Sequence, residues 1–588
     1  MVNMSSMKAI DDLFKSGSSS LKRKFTDPKY SSHSSKSAKI QEIHVENGKS
    51  NASLEDNVKS DADSDELLNK KYEVDIPDDE EGRFFGGGVT EKQNEIIDYV
   101  DQQMSTDVLP ERIDSSWLRK QVLKFERKIQ KNAEQRVRFE QEPLRYLESE
   151  AELHAEIKAL SILSEHPELY QEIVKSGCIG SLISLLTHEN TDIVSVTLEI
   201  VSELTDENVE AEQSQWNEIV NTMIEADLLS LLGSNFSRLN ESNESDRSGV
   251  YYSLNVLENL ASMANIAEKI GKDKCIFDWL VGRICKNESP VSQNKQYAAE
   301  VLAILLQFST SNVRIFCEMD GVNLFLEIIA NYRKQDPAKG TEEEEFVENL
   351  FDILTRVVNT PEGKAKFVEA EGVELCLIMI KNGKMSKPRA LRLLDHSLGS
   401  LSGLDACERL VEAGGLKVIF SMFMKKQDGS NTEHLLGIFS SLLRLLAANS
   451  AYRIRTLAKF VEKDFEKIVK LINLRREYAS RLKLAEEKIK KSQDMLEDEA
   501  KELATDEWLS TRLEAGLFCL QIIDVILAWL VAEDDGACEK IRYLLSEKGE
   551  SLTLISKTLN EQLTANVGDT EEEKMTKDML STLVKFLT

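Results

Sequence analysis

Four stretches far apart in the chain share one spacing of apolar residues: GCIGSLISLL at 177–186, DGVNLFLEII from Asp320, EGVELCLIMI from Glu371 and GGLKVIFSMF from Gly414. Each opens on a small or turn-forming residue, sets a branched apolar residue two places on, and closes in a tight apolar cluster. Two degenerate copies, ADLLSLLGSNF and KCIFDWLVGRI, lie between the first and second of these. Aligning all six at Cys178, Asp227, Cys275, Gly321, Gly372 and Gly415 leaves intervals of 49, 48, 46, 51 and 43 residues. That period is near the ~40–47 residues of armadillo and HEAT arrays.

The flanks repeat too. VRIFCEMDG, AKFVEAEG and ERLVEAGG each lead into the aligned position as a short amphipathic helix ending at glycine, as expected of a helix C-cap. After each cluster a turn precedes a longer helical pattern, such as TDIVSVTLEIVSELTD, NKQYAAEVLAILLQFST and TEHLLGIFSSLLRLLAAN. A short helix, a bend, a middle helix and a long third helix make one armadillo unit. The fold predicted is therefore all-α: an armadillo-type superhelical solenoid of about six units over residues 171–450.

Outside the array the pattern changes. Residues 91–170 read as an N-terminal helical cap, with Ser115 or Ser116 as N-cap of the helix in SSWLRKQVLKFERKIQ. After Asn449 the period breaks, and residues 451–588 read as a helical block covering the last apolar face of the solenoid. Within it, TLAKFVEKDFEKIVKLINLRREYASRLKLAEEKIKKSQDM is read as one long charged helix. The fifteen apolar-rich residues Leu517–Val531 are too short, and with Gln521 and Asp524 too polar, for a membrane span. Residues 1–90 have few aromatics and little periodicity and are expected to be a disordered tail.

Charge sharpens the tail and the array differently. Residues 1–48 carry eight Lys/Arg against five Asp/Glu, a net of +3, whereas residues 51–82 carry twelve Asp/Glu against three Lys, a net of −9. The basic part holds Lys22, Arg23 and Lys24, then Lys36 and Lys39, a pattern that fits a nuclear-localisation signal as well as an incidental basic patch. The whole chain has a formal charge of −29 over 588 residues. This opposes direct nucleic-acid binding and favours cationic partners, Lys/Arg-rich peptides among them.

Catalytic patterns are missing from the sequence. None of the seven histidines stands in an H-E-x-x-H motif, and no G-x-S-x-G elbow or phosphate-cradling loop occurs. The eight cysteines are scattered without a C-x-x-C pair, which suits reduced thiols in the core. No enzyme activity, cofactor or metal is expected. His396, on an apolar helix beside Asp395, reads as structural. A solenoid instead offers an elongated face lined by its third helices. Aligned on their apolar positions, these helices put Glu199, Asn255, Glu300 and Asp352 at one equivalent site, with Glu203 and Asn259 one turn later. Carboxylates there would pair with the cations of an extended basic peptide and amides would grip its backbone. A merely solvated face is the plain alternative.

Several stretches also resemble the β-catenin-like protein 1 family: ENTDIVSVTLEIVSELTD, YAAEVLAILLQ, VENLFDIL, TEHLLGIFSSLLRLL, RLEAGLFCLQ and, in the cap, LKFERKIQKNAEQRVRF and YLESEAELHAEI. The likeness runs from about Trp117 to the C-terminus. It implies a nuclear armadillo protein without enzymatic activity that binds basic segments of pre-mRNA splicing factors and associates with the spliceosomal nineteen complex. It also implies a homodimer formed through the C-terminal block. The spacing is similar to importin-α as well, but Asn259 is preceded four residues earlier by Asn255 rather than Trp, and the five tryptophans form no ladder. An import adaptor and a self-associating scaffold with an empty groove stand as the alternatives.

Overall fold

A computed structural model describes residues 112–493, 505–565 and 570–587. The tail, its candidate signal residues Lys22, Arg23, Lys24, Lys36 and Lys39, and the first part of the cap lie outside these described residues. Within them the secondary structure is helical throughout, with short 3-10 turns and no strand. The cap helix Ser115–Arg138 buries Leu118, Val122, Phe125 and Ile129, spaced four, three and four apart along one face. Its N-cap is Asp114, not a serine: the Asp114 carboxylate accepts from the backbone N–H of Ser116 and Trp117 at 2.9 and 3.0 Å. The carboxylate also meets the positive end of the helix dipole, which a neutral hydroxyl does not.

Six units follow. Their third helices are Thr191–Leu204, Glu244–Ala261, Gln293–Phe308, Glu342–Val357, Ser386–Leu398 and Gly429–Leu445, and each packs on the next. The bend between first and second helix is made by one left-handed residue: Gly177, Asp227, Asp320, Glu371 or Gly414, with φ between +57° and +77°. Only two of these are glycines, so the expectation that glycine makes the bend holds for units one and six alone. At DG and EG the glycine comes one residue later, as the first residue of the second helix, and its role is close approach. A Cβ on Gly321 would lie 2.4 Å from the Phe316 ring, and one on Gly372 would lie 2.3 Å from Phe367.

Two aligned positions shift by a residue. Asp227 is itself the bend, and its helix starts at Leu228. Unit three has no left-handed residue: its second helix starts at Lys274 after an extended Asp273, whose carboxylate caps Cys275 and Ile276 at 2.9 and 3.2 Å. Polar side chains tie unit to unit. Asn235 donates to Leu186 O at 2.9 Å, and Asn312 to Ala267 O at 2.9 Å. The buried Arg283 guanidinium binds both oxygens of Glu241, at 2.6 and 3.0 Å.

Beyond Asn449 the spacing changes but the stacking continues: Leu517–Glu533 packs on Gly429–Leu445, and Glu571–Leu587 packs on Leu517–Glu533. The helical stretch Ala451–Gln493 is not one helix. Glu462 is extended and Lys463, Asp464 and Phe465 are left-handed, which breaks it in two. The break turns the second part so that Ile468, Leu471 and Arg475 are buried where this stretch packs against Leu517–Glu533. There the fully buried Asp524 receives two hydrogen bonds from Arg475, at 2.6 and 3.1 Å. Among the described residues no single helix is long and apolar enough to cross a membrane.

Candidate peptide groove

The third helices are buried on the faces toward their neighbours and leave one row of half-exposed side chains. At the start of that row stand Glu199 and Glu203, one helical turn apart. Lys158 Nζ of the cap lies 3.7 Å from Glu199, and Ser161 donates to Glu203 at 2.5 Å. The Tyr252 hydroxyl of unit two hydrogen-bonds Glu199. Burial, with Glu199 as a like-charged neighbour, pushes the Glu203 carboxyl above its ordinary value. Two adjacent carboxylates beside a single lysine make a place where an incoming cation would relieve repulsion.

Unit two contributes Asn255, and beside it Glu258, whose carboxylate accepts from the Tyr297 hydroxyl of unit three. Asn259 belongs to the framework. It is 6% exposed; its amide donates to Ser202 O at 3.2 Å, to Thr205 Oγ1 at 3.2 Å and to Asn255 Oδ1 at 3.0 Å. The second amide of the expected ladder therefore joins the third helices of units one and two. Glu300 of unit three is half-exposed and accepts from Gln296 at 2.9 Å.

The row changes character at unit four. Asp352 is ion-paired to Arg392 of unit five, and one turn earlier Glu348 is ion-paired to Arg389. KPRALRLL puts two arginines at i and i+3, so both reach back to the preceding third helix. A guanidinium of the next unit thus already occupies Asp352, where Glu199 has Lys158 of the cap at 3.7 Å. Farther on, the row closes into a polar core. Asp395, 2% exposed, pairs with His434 Nδ1 at 3.0 Å, and the buried His396 shares a hydrogen bond with Asn359 at 3.0 Å. Burial drives His396 well below the usual histidine range, so it stays neutral.

The alignment that found Glu199 and Glu300 passed over Tyr252, Glu258 and Tyr297. Tyr252 and Glu258 stand three residues either side of Asn255, on the same helical face, and that spacing was the available signal. Among the described residues no three His, Cys, Asp or Glu side chains are grouped to hold a metal ion. Cys178, Cys376 and Cys407 are buried, and burial raises their thiols far above the ordinary value.

Three-helix units stacked through their third helices, with a carboxylate-lined row at one end, define an armadillo-type scaffold. Residues 94–560 match the family described as catenin-beta-like, Arm-motif containing, nuclear. The chain is 36% identical to Beta-catenin-like protein 1 homolog of Schizosaccharomyces pombe over 499 residues, covering 84% of this chain and 87% of that protein. Against Beta-catenin-like protein 1 of Homo sapiens the identity is 32% over 471 residues, covering 78% and 83%. The chain belongs to the catenin-beta-like family. Among solved structures it is similar to an engineered protein (TM-score 0.44, 14% identity, 74% of this chain and 95% of that one) and to a designed armadillo repeat protein (TM-score 0.34, 13% identity, 45% and 99%).

Proposed function

We propose that the protein is a non-enzymatic nuclear scaffold that binds Lys/Arg-rich, nuclear-localisation-type segments of pre-mRNA splicing factors and works with the spliceosomal nineteen complex. The first half of the third-helix face is the contact: Glu199 and Glu203 take cationic side chains, and Asn255 and Glu300 extend the track. The observation that carries this reading is the Glu199–Glu203 pair, two carboxylates one turn apart whose nearest base is a lysine at 3.7 Å. Family membership and the family's nuclear description support the setting. Self-association through the C-terminal helices is compatible with the same groove.

The test is fluorescence anisotropy of a labelled Lys/Arg-rich splicing-factor peptide with the full chain and with Glu199→Lys/Glu300→Lys. Placing two cations where two anions stood should weaken binding at least tenfold, and the difference should shrink at high salt. Asp352→Asn, whose carboxylate is already paired, should change affinity much less. An unchanged affinity in the double variant would remove this face from the contact.

A further inference from the structure

We propose that the C-terminal end of the array carries a second docking site, separate from the carboxylate row, for an amphipathic helix of another protein that presents large apolar residues on one face and basic residues beside them. A cleft of about 850 Å³ opens there. Ile454 and Leu457 form one wall, Met575, Met579 and Phe586 of Glu571–Leu587 form the other, and Trp529 lies between. Four stretches distant in sequence build it: Leu401 and residues within 444–457, 529–533 and 572–586.

Its apolar side chains are unusually open to water. Ile454 is 60% exposed, Met575 54%, Phe586 53% and Leu401, at one end, 41%. Single exposed apolar residues need no explanation, but four gathered around one concavity mark an interaction surface. Methionines in such a wall adapt to the shape of whatever enters. Because the walls are half-exposed, the cleft is a furrow and not a closed chamber, which suits a long occupant better than a compact small molecule.

Two further observations select the occupant. The walls are helices, whose backbone groups are already bonded, and no strand edge is available among the described residues. An extended peptide lying in this apolar furrow would bury unpaired N–H and C=O groups, whereas a helix satisfies its own. Of the lining carboxylates, Glu533 is held at both oxygens by the buried Arg453, which leaves Glu572 and Asp578 against Arg444. Two carboxylates beside one guanidinium favour a basic flank on the incoming helix.

The experiment uses the full chain and three labelled, stapled 15-residue helical peptides. One has leucines at i, i+3, i+4 and i+7 with lysine flanks; the second has the same leucines with glutamate flanks; the third has alanines with lysine flanks. The first should bind at least tenfold more tightly than either of the others. Ile454→Glu and Met575→Glu, at positions already more than half exposed, should each reduce that binding at least tenfold while the circular dichroism and Tm stay those of the parent chain. Glu199→Lys/Glu300→Lys should leave it unchanged, which separates this site from the row proposed above. Equal binding of the three peptides, no binding, or insensitivity to both cleft variants would overturn the proposal. So would a dimer in solution that Ile454→Glu dissolves, since the cleft would then be covered by a second copy.

Discussion

The bend of unit five offers a test with opposite signs at adjacent residues. Glu371 is left-handed, with φ +57° and ψ +28°, and Gly372 begins the next helix. A side chain in the left-handed region costs about 1–2 kcal/mol, which glycine avoids, while the greater freedom of glycine in the unfolded chain returns about 0.5–1 kcal/mol. Glu371→Gly should therefore stabilise unit five slightly, by about 0.5 kcal/mol. Gly372→Ala should do the reverse. Its Cβ would stand 2.3, 2.4 and 2.7 Å from three atoms of the fully buried Phe367 ring, so the ring must move by about an ångström. Overpacking of this kind costs about 1–3 kcal/mol, and Phe367→Leu in the same chain should recover part of it. A solenoid does not unfold as one unit, so native-state hydrogen exchange of amides in Gly372–Asn382 is the appropriate measurement. If Glu371→Gly loosened those amides by more than 1 kcal/mol, the assignment of the bend to Glu371 would be wrong.

Three further outcomes follow from buried charges. The Glu203 carboxyl is raised by burial, and a bound cation favours its ionised form; peptide affinity should therefore fall as pH drops toward the ordinary value of 4.5, earlier than for an exposed glutamate, and Glu203→Gln should flatten that profile in anisotropy titrations. Lys364, buried and donating to His396 O at 2.5 Å, is held down to about 8. Between pH 8 and its ordinary 10.5 the folded chain binds fewer protons than the unfolded one, so stability should rise with pH there, and Lys364→Met should remove that rise from the Tm profile. Arg475→Met leaves the Asp524 carboxylate buried without its partner and should cost about 3–5 kcal/mol. Urea unfolding followed by tryptophan fluorescence reads it, and a loss under 1 kcal/mol would mean that the pair is not buried as described.

The repeat was legible because it is written in apolar spacing, which packing between units demands at every turn. The third helices follow from Ile193, Val194 and Leu198, or Val347, Leu350 and Leu354, and these are buried. Fine geometry was less legible for local reasons. Glycine after an acidic residue reads as a C-cap, yet Asp320 and Glu371 take the left-handed conformation because Phe316 and Phe367 leave room only for hydrogen at the next Cα. The break at Lys463–Phe465 has no glycine or proline to announce it. For the candidate row, one helix face shows which residues share a side but not what the neighbouring helix places opposite. Asn259 and Asp352 are tied to Ser202 and Arg392, which that face alone does not show, whereas Glu199 and Glu300 lie half-exposed on the third helices.

That distinction explains how one residue type serves two purposes in this array. From unit four onward three third-helix carboxylates have a partner on the next unit: Glu348 has Arg389, Asp352 has Arg392, and Asp395 has His434. These pairs hold consecutive units in register, and the two arginines compensate Glu348 and Asp352 where they stand. In units one to three the neighbouring third helices supply hydroxyls instead, from Tyr252 to Glu199 and from Tyr297 to Glu258, while Gln296 of the same helix donates to Glu300. A hydroxyl orients a carboxylate and leaves its charge in place, and at the Glu199–Glu203 pair two carboxylates face Lys158. Cohesion in that half rests on uncharged ties such as Asn259 to Ser202 and Asn312 to Ala267 together with the Arg283–Glu241 pair. The third helices thus differ along the array in what each sets against its predecessor, and the change from hydroxyl to guanidinium falls at Arg389 and Arg392.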